Sequence, residues 1–129
     1  MEPGRANLEL SDKTILVVED EFFIAQDLRE EIEGAGGRVI GPCPNVDAAL
    51  RQLDIQTPDC AMIDINLGEG MSFALPHLLT DRHVPFVFLT GYDAAMIPEP
   101  FGKTPYIAKP PHRHAVIAAL RDLCRPEPI

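Results

Sequence analysis

Residues 14–21 read TILVVEDE, in which a run of strand-forming residues is followed at once by three carboxylates. Because the apolar run is continuous rather than alternating, it predicts a strand that is covered on both faces. Four comparable runs follow: RVIG at 38–41, CAMI at 60–63, FVFL at 86–89 and YIA at 106–108. Five such strands in one short chain predict a sheet that forms the centre of the molecule.

Stretches with apolar residues at helical spacing lie between these runs. The first helix is expected to bury the apolar residues Phe22, Phe23, Ala25, Leu28 and Ile32 and to stop at Gly34. Asn45 is expected to cap a second helix. A third helix is predicted from about 72 to 82 and a last one from about 112 to 124, whereas Pro98, Pro100 and Pro105 restrict any fourth helix to roughly 93–97.

Strands that alternate with helices predict an α/β fold. We expect a flavodoxin-like (βα)5 fold, a doubly wound five-stranded parallel sheet with strand order 2-1-3-4-5 and a short or irregular fourth helix. Residues 1–129 are expected to form one domain, with a core from about 12 to 125 and short flexible tails. In this strand order, ligands bind beyond the carboxyl ends of strands one and three.

The charge balance excludes several classes of partner. Eleven Lys and Arg against twenty Asp and Glu give a net charge of −9, which would repel nucleic acids and anionic membranes. The chain shows no secretory signal and no membrane-spanning run, so a cytoplasmic location is expected. Cys43, Cys60 and Cys124 are far apart in the sequence, so they are expected to be buried free thiols, without a disulfide or a zinc site.

Polar residues follow four of the five apolar runs: Glu19 and Asp20 after the first, Asp64 after the third, Thr90 after the fourth and Lys109 after the fifth. The carboxyl ends of parallel strands meet at one edge, so these side chains are expected to converge. Three clustered acids require a neutralising cation, and Mg²⁺ suits carboxylates that leave room for a phosphate oxygen. Asp64 would be the nucleophile that forms an acyl phosphate, with Thr90 and Lys109 on the other phosphoryl oxygens.

Together these motifs resemble a receiver domain of two-component response regulators, over about residues 12–125. The residues that carry the resemblance are ILVVED at 15–20, MIDINLGEG at 62–70, Thr90 after an apolar strand, and YIAKP at 106–110. Each motif alone is weak, and their combination is specific.

The resemblance implies a role for each matching residue. Asp64 would be the phosphoacceptor, Asp20 a direct Mg²⁺ ligand, Glu19 an acid that acts largely through metal-bound water, and the backbone carbonyl of Asn66 a further ligand. Thr90 and Lys109 would form the phosphate-sensing pair. Pro110 matches a proline that follows the lysine through a cis peptide.

A narrower resemblance covers residues 85–92. PFVFLTGY is similar to the PFxFATGY signature of a receiver subgroup that often occurs as stand-alone regulators in alphaproteobacteria, and it departs from that signature at Leu89. Gly91 would give the loop after Thr90 more backbone freedom. Tyr92 and Tyr106 are both candidates for an aromatic residue that moves on switching, and the sequence leaves both open.

The resemblance implies a phosphorylation-operated switch rather than an enzyme, with limited self-phosphorylation and self-dephosphorylation. A sensor histidine kinase or a histidine phosphotransfer protein would donate to Asp64, and the output would be either a downstream protein partner or a phosphate sink. One rival is a Mg²⁺-dependent phosphohydrolase, but the second acid that a haloacid-dehalogenase-type enzyme needs is replaced by Asn66. The other rival, a phosphorylation-independent pseudo-receiver, is disfavoured by the complete set of site residues. Met1 and the short tails favour a free-standing regulator over an excised receiver.

Overall fold

The computed structural model describes residues 8–65, 73–91, 101 and 103–124. The strands are β1 (Thr14–Val18), β2 (Arg38–Cys43), β3 (Cys60–Asp64), β4 (Phe86–Thr90) and β5 (Tyr106–Ala108). The helices within this part of the chain are α1 (Phe22–Gly34), α2 (Val46–Ile55), α3 (Ala74–Asp81) and α4 (Arg113–Leu123). All strand pairs are parallel, in the order β2-β1-β3-β4-β5, which confirms the flavodoxin-like sheet. The short helix expected at 93–97 lies outside the described residues.

Strands β1 and β5 have the predicted bounds, and the other three run one or two residues further. The extension of β2 past Gly41 goes with a left-handed backbone, since φ of Gly41 is +102°. A Cβ at this position would lie 2.5 Å from the backbone nitrogen of Cys43 and 3.0 Å from the carbonyl oxygen of Val17. Only glycine fits there, and the pairing of β2 with β1 shifts register at this point.

The sheet separates two apolar clusters. One includes residues of α2 and α3, and the other includes residues of α1 and α4. Side chains along β3 alternate between them: Ala61 and Ile63 lie in the first cluster, Cys60 and Met62 in the second. Strands β3 and β4 are buried along their whole length, as their continuous apolar runs predicted.

Helix α2 begins where the sequence predicts. The Oδ1 atom of Asn45 accepts a hydrogen bond of 2.8 Å from the backbone nitrogen of Ala48, which confirms Asn45 as the cap of α2. Helix α3 begins at Ala74, two residues later than expected. None of the helices in the described stretches combines the length and the apolarity that crossing a membrane requires.

The prediction that Phe22 and Phe23 are buried on the first helix is wrong. Their exposed fractions are 70% and 76%, and the buried face of α1 consists of Ala25, Leu28 and Ile32. Helix α1 begins soon after β1 ends, so its first turn lies near the carboxyl end of the sheet. The two rings instead contact each other edge to face, with centroids 5.4 Å apart.

The prediction that the cysteines are free thiols is confirmed, and burial is confirmed for Cys43 and Cys60 but not for Cys124. Cys124 follows α4, is only partly buried, and places its Sγ atom 2.6 Å from the Sγ atom of Cys60, although 64 positions separate the two residues in the sequence. All three cysteines are free thiols, and Cys43 lies in the other apolar cluster.

Candidate functional site

Three charged residues come together because their side chains point to the same face of the sheet at the carboxyl ends of three strands. Glu19, Asp64 and Lys109 each follow, at a spacing of two, a residue of the cluster beneath α1 and α4, namely Val17, Met62 and Ile107. Side chains two apart on a strand point to the same face, so all three belong to that face at the carboxyl ends of their strands. The sequence predicted this convergence.

The ammonium group of Lys109 links the two acids. Its Nζ atom donates a hydrogen bond of 2.8 Å to Oδ2 of Asp64. It also lies 3.1 Å from Oε1 of Glu19 and donates a longer hydrogen bond of 3.4 Å to Oε2. The side chains of Asp64 and Glu19 are almost completely buried, and that of Lys109 is 20% exposed. A single cation therefore offsets two buried carboxylates.

The environment of Glu19 favours its protonated form. Burial and a hydrogen bond with Asp64 raise the pKa of Glu19 to about 7, although the backbone N–H of Glu21, which donates to Oε2 at 3.0 Å, and the charge of Lys109 oppose this. Burial alone would lower the pKa of Lys109, but its contacts with Asp64 and Glu19 outweigh burial and raise it. The described site thus places three carboxyl groups, those of Glu19, Asp20 and Asp64, beside the ammonium of Lys109.

Glu19, Asp20 and Asp64 form a possible metal site. Each offers one carboxylate oxygen, and these oxygens lie within 4.8 Å of one another. Asp20 is exposed, whereas Glu19 and Asp64 are buried. Within the described part of the chain, the buried Oε1 atom of Glu19 accepts no hydrogen bond, although Lys109 is in ion-pair contact with it. Three clustered carboxylates, one of them with a buried oxygen that accepts no described hydrogen bond, fit a hard divalent cation such as Mg²⁺. Asn66, the expected carbonyl ligand, lies outside the described residues.

Thr90 and Lys109 lie on neighbouring strands. Thr90 is the last residue of β4 and is fully buried. Its carbonyl oxygen accepts a hydrogen bond of 2.9 Å from the backbone nitrogen of Lys109. The peptide bond between Lys109 and Pro110 is cis. The two residues expected to sense phosphate are thus coupled through their backbones.

Two of the three expected switch residues can be described. Gly91 is exposed, and a Cβ added there would meet no described atom within 4 Å. Tyr106 begins β5 and is 47% exposed, so its ring is only partly packed. Tyr92 lies outside the described residues, so both aromatic candidates stay predictions.

Sequence reasoning missed one side of the site. A cleft of about 310 Å³ adjoins Glu19 and Asp20, and its other walls are Phe22, Ala25, Gln26, Arg29, Pro42 and Pro44. The two prolines come from the end of β2 and the loop after it, and β2 is the neighbour of β1. The pattern PCPN at 42–45 directly after an apolar run was the available signal for this wall.

Known proteins share the sequence pattern. The family model described as the response regulator receiver domain matches residues 15–121. The phyllosphere-induced regulator PhyR of Methylorubrum extorquens is 36% identical over 93 residues, which cover 67% of this chain and 35% of PhyR. The chain spans about a third to a half of the length of the curated relatives it matches.

Solved structures share the fold. PhyR from Brucella abortus superposes with a TM-score of 0.77 at 25% identity, over 96% of this chain and 53% of that one. The BeF3-activated conformation of SdrG from Pseudomonas melonis Fr1 gives a TM-score of 0.78 at 32% identity, over 89% of this chain and 98% of SdrG. The family match covers most of the sequence, and the sheet and its charged rim agree with it. The chain therefore belongs to the response regulator receiver domain family of two-component signalling.

Proposed function

We propose that this protein is a signalling switch that accepts a phosphoryl group on Asp64 with the help of Mg²⁺ and thereby changes its binding to a protein partner. The observation that carries the proposal is the ion pair of 2.8 Å between Lys109 and the buried carboxylate of Asp64, beside two further acids. A buried nucleophile beside a cation and two further acids suits phosphoryl transfer, which depends mainly on positioning and charge neutralisation.

The chemistry assigns a task to each side chain. A carboxylate oxygen of Asp64 would form a bond to phosphorus while the bond between phosphorus and the donor breaks, which gives an acyl phosphate. The ammonium of Lys109 would move from the carboxylate to a phosphoryl oxygen, and the hydroxyl of Thr90 would donate to another. Glu19, Asp20 and Asp64 would hold Mg²⁺, which supplies positive charge to the phosphoryl oxygens when bound. The same groups would support limited self-phosphorylation and self-dephosphorylation.

Membership of the family implies a histidine kinase as partner. We propose that a phosphohistidine of such a kinase, or of a histidine phosphotransfer protein, is the donor. The exposed ring of Phe22 lines the cleft beside Asp20, and the exposed ring of Phe23 contacts it edge to face. Large exposed apolar side chains next to a reactive site favour contact with another protein. The first turn of α1 is therefore the proposed binding site for the phosphodonor protein.

The output is proposed to depend on the residues after Thr90. Phosphorylation would draw the hydroxyl of Thr90 and the ammonium of Lys109 toward the new phosphoryl group. The exposed Gly91 and the partly exposed Tyr106 flank these two residues in sequence, so their surroundings would change with them. A downstream protein would then bind one state better than the other, or the protein would serve as a phosphate sink. That it acts as a single-domain regulator in the cytoplasm stays a prediction.

The proposal is tested by small phosphodonors, which need no kinase. The protein is incubated with Mg²⁺ and acetyl phosphate, and its intact mass is followed beside that of Asp64→Asn and of Asp54→Asn, an exposed acid of α2. We expect a gain of one phosphoryl group in the wild type and in Asp54→Asn, and none in Asp64→Asn. Beryllofluoride should shift the amide spectra of the same two proteins. A wild type that shows neither an adduct nor a shift would refute the switch.

A further inference from the structure

Two thiols lie together at the end of β3 that is remote from the acids. The Sγ atoms of Cys60 and Cys124 are 2.6 Å apart, and both residues are free thiols. Cys60 is the first residue of β3 and Asp64 the last, so about 13 Å of extended strand separates this pair from the phosphoacceptor. We propose that Cys60 and Cys124 form an oxidisable dithiol, which a peroxide converts to an intramolecular disulfide.

The backbone already holds the two residues in place for such a bond. A disulfide joins sulfurs at about 2.05 Å, so the two sulfurs must approach by only about 0.5 Å. Cys60 lies in the buried strand β3, which pairs with β1 on one side and with β4 on the other. The backbone nitrogen of Cys124 donates to the carbonyl oxygen of Leu120 at 3.0 Å, which fixes the end of α4. Formation of the bond therefore needs no rearrangement of secondary structure.

The two thiols differ in their access to an oxidant. Cys60 is completely buried, whereas Cys124 is partly exposed at the end of α4. The hydrogen bond from Cys60 lowers the pKa of Cys124 despite partial burial and the nearby charge of Asp59, and Lys13 acts in the same direction. The same hydrogen bond, together with burial, raises the pKa of Cys60. Since the thiolate is the reactive form, Cys124 is the attacking thiol and Cys60 the resolving one.

The reaction is balanced with hydrogen peroxide as the oxidant. The thiolate of Cys124 attacks one peroxide oxygen, the O–O bond breaks, and the other oxygen leaves with a proton as water, so that Cys124 becomes a sulfenic acid. The sulfur of Cys60 then attacks the sulfur of Cys124. The S–S bond forms, the S–O bond breaks, and the hydroxyl leaves with the proton of Cys60 as a second water. The two thiols together lose two electrons, and the peroxide gains them.

The bond would join segments that are 64 positions apart in the chain. A crosslink across such a long loop restricts the unfolded chain and raises the unfolding temperature. In the folded state, it would attach the end of α4 to the start of β3. A dithiol reductant would reverse it by thiol exchange and become oxidised itself.

The test counts free thiols in the full chain. Dilute folded protein is treated with hydrogen peroxide, denatured, alkylated and weighed, so that methionine oxidation does not affect the count. We expect the number of alkylated cysteines to fall from three to one, with the chain monomeric, and dithiothreitol to restore three. In Cys43→Ala, which keeps Cys60 and Cys124, the number of alkylated cysteines should fall from two to none.

Two further variants make the result specific. Cys124→Ser removes the partly exposed thiol and Cys60→Ala the buried one, and the folded state of each is checked by its amide spectrum. Neither should form an intramolecular disulfide. The proposal is overturned if the folded wild type keeps three alkylatable thiols, if the disulfide links Cys43, or if oxidation yields only covalent dimers. Cys124 directly follows α4 and is partly exposed, so Cys124→Ser is expected to fold. This variant therefore tests the proposal even if Cys60→Ala does not fold.

Discussion

Lys109 and Asp64 form an ion pair of 2.8 Å between the carboxyl ends of β5 and β3, two strands that do not pair with each other. Strand β4 lies between them, so the lysine side chain reaches past the end of β4 to the acid. The ammonium thereby occupies the position where positive charge is needed when the acid is not phosphorylated. Removal of the Lys109 ammonium should therefore show how much it contributes to the stability of the protein.

We expect Lys109→Met to lower the free energy of unfolding by roughly 1–3 kcal/mol, because two buried carboxylates lose their cation. Added Mg²⁺ should stabilise the variant more than the wild type, since more negative charge is left to neutralise. Urea unfolding with and without Mg²⁺ measures both effects. Lys103→Met removes an exposed lysine and should change neither. Equal stabilisation of Lys109→Met and wild type by Mg²⁺ would contradict the placement of the metal beside this lysine.

Metal removal should lower the unfolding temperature through the acid cluster. A ligand that binds only the folded state stabilises it by about 2.7 kcal/mol at 100 times its Kd. The unfolding temperature measured with Mg²⁺ should therefore be higher than that measured with EDTA. Asp20→Asn should abolish the difference because it removes the exposed ligand of the cluster. Glu21→Gln is the matched control, since Glu21 is exposed and its described hydrogen bond to Glu19 is made by the backbone N–H, which the substitution keeps. If both variants respond to Mg²⁺ like the wild type, the metal binds elsewhere.

The exposed rings at the start of α1 should matter for transfer and not for folding. Phe22→Ala and Phe23→Ala change side chains that are at least 70% exposed, so each should shift stability by less than about 0.5 kcal/mol. With a phosphorylated kinase as donor, we expect transfer to slow severalfold, and with acetyl phosphate to stay unchanged. Ile55→Ala, an equally exposed apolar residue of α2, is the control. Slower reaction with acetyl phosphate would show that the rings act on the site itself and not on the donor.

Glu31 of α1 should make stability depend on pH. Burial raises the pKa of Glu31, the charges of Asp27 and Glu30 raise it further, and Arg113 opposes them. Between the ordinary pKa and the raised one, the folded protein holds a proton that the unfolded chain releases. The free energy of unfolding therefore falls as pH rises through this window.

Glu31→Gln should remove this loss, so the stability of the variant relative to the wild type should rise as pH increases from the ordinary pKa of a glutamate through the raised pKa of Glu31. Chemical unfolding at several pH values measures the difference. Asp54→Asn changes an exposed acid, so its free energy of unfolding should depend on pH in the same way as that of the wild type. A pH-independent difference for Glu31→Gln would show that the carboxylate is as well solvated in the folded state as in the unfolded chain.

Much of the rim was predictable because the apolar runs are continuous, and those of β1, β3 and β4 are buried on both faces. A polar residue that directly follows an apolar run of this kind must lie at the strand end, which placed Glu19, Asp64, Thr90 and Lys109 correctly. The sequence could not show which acid of the first pair is buried. Glu19 and Asp20 are chemically alike, and Glu19 is buried because it continues the row of Ile15 and Val17, whereas Asp20 turns outward.

Contacts between distant segments escaped prediction for a different reason. Nothing local connects Cys60 with Cys124, since their meeting depends on how α4 crosses the sheet. The exposure of Phe22 and Phe23 likewise depends on where the sheet ends beneath α1, which periodicity does not show. The extension of β2 past Gly41 depends on the left-handed backbone conformation of this glycine. A glycine in the sequence allows this conformation but does not require it.

The two apolar clusters divide the molecule chemically along the plane of its sheet. Alternate residues of β3 place Cys60 and Asp64 on the side of α1 and α4, so the thiol pair and the acid cluster share one face. The opposite face contributes mainly apolar packing from α2 and α3. An engineer could therefore repack that side for stability, except around Thr90, which continues the row of Phe86 and Phe88, and leave the thiol pair and the acid cluster untouched.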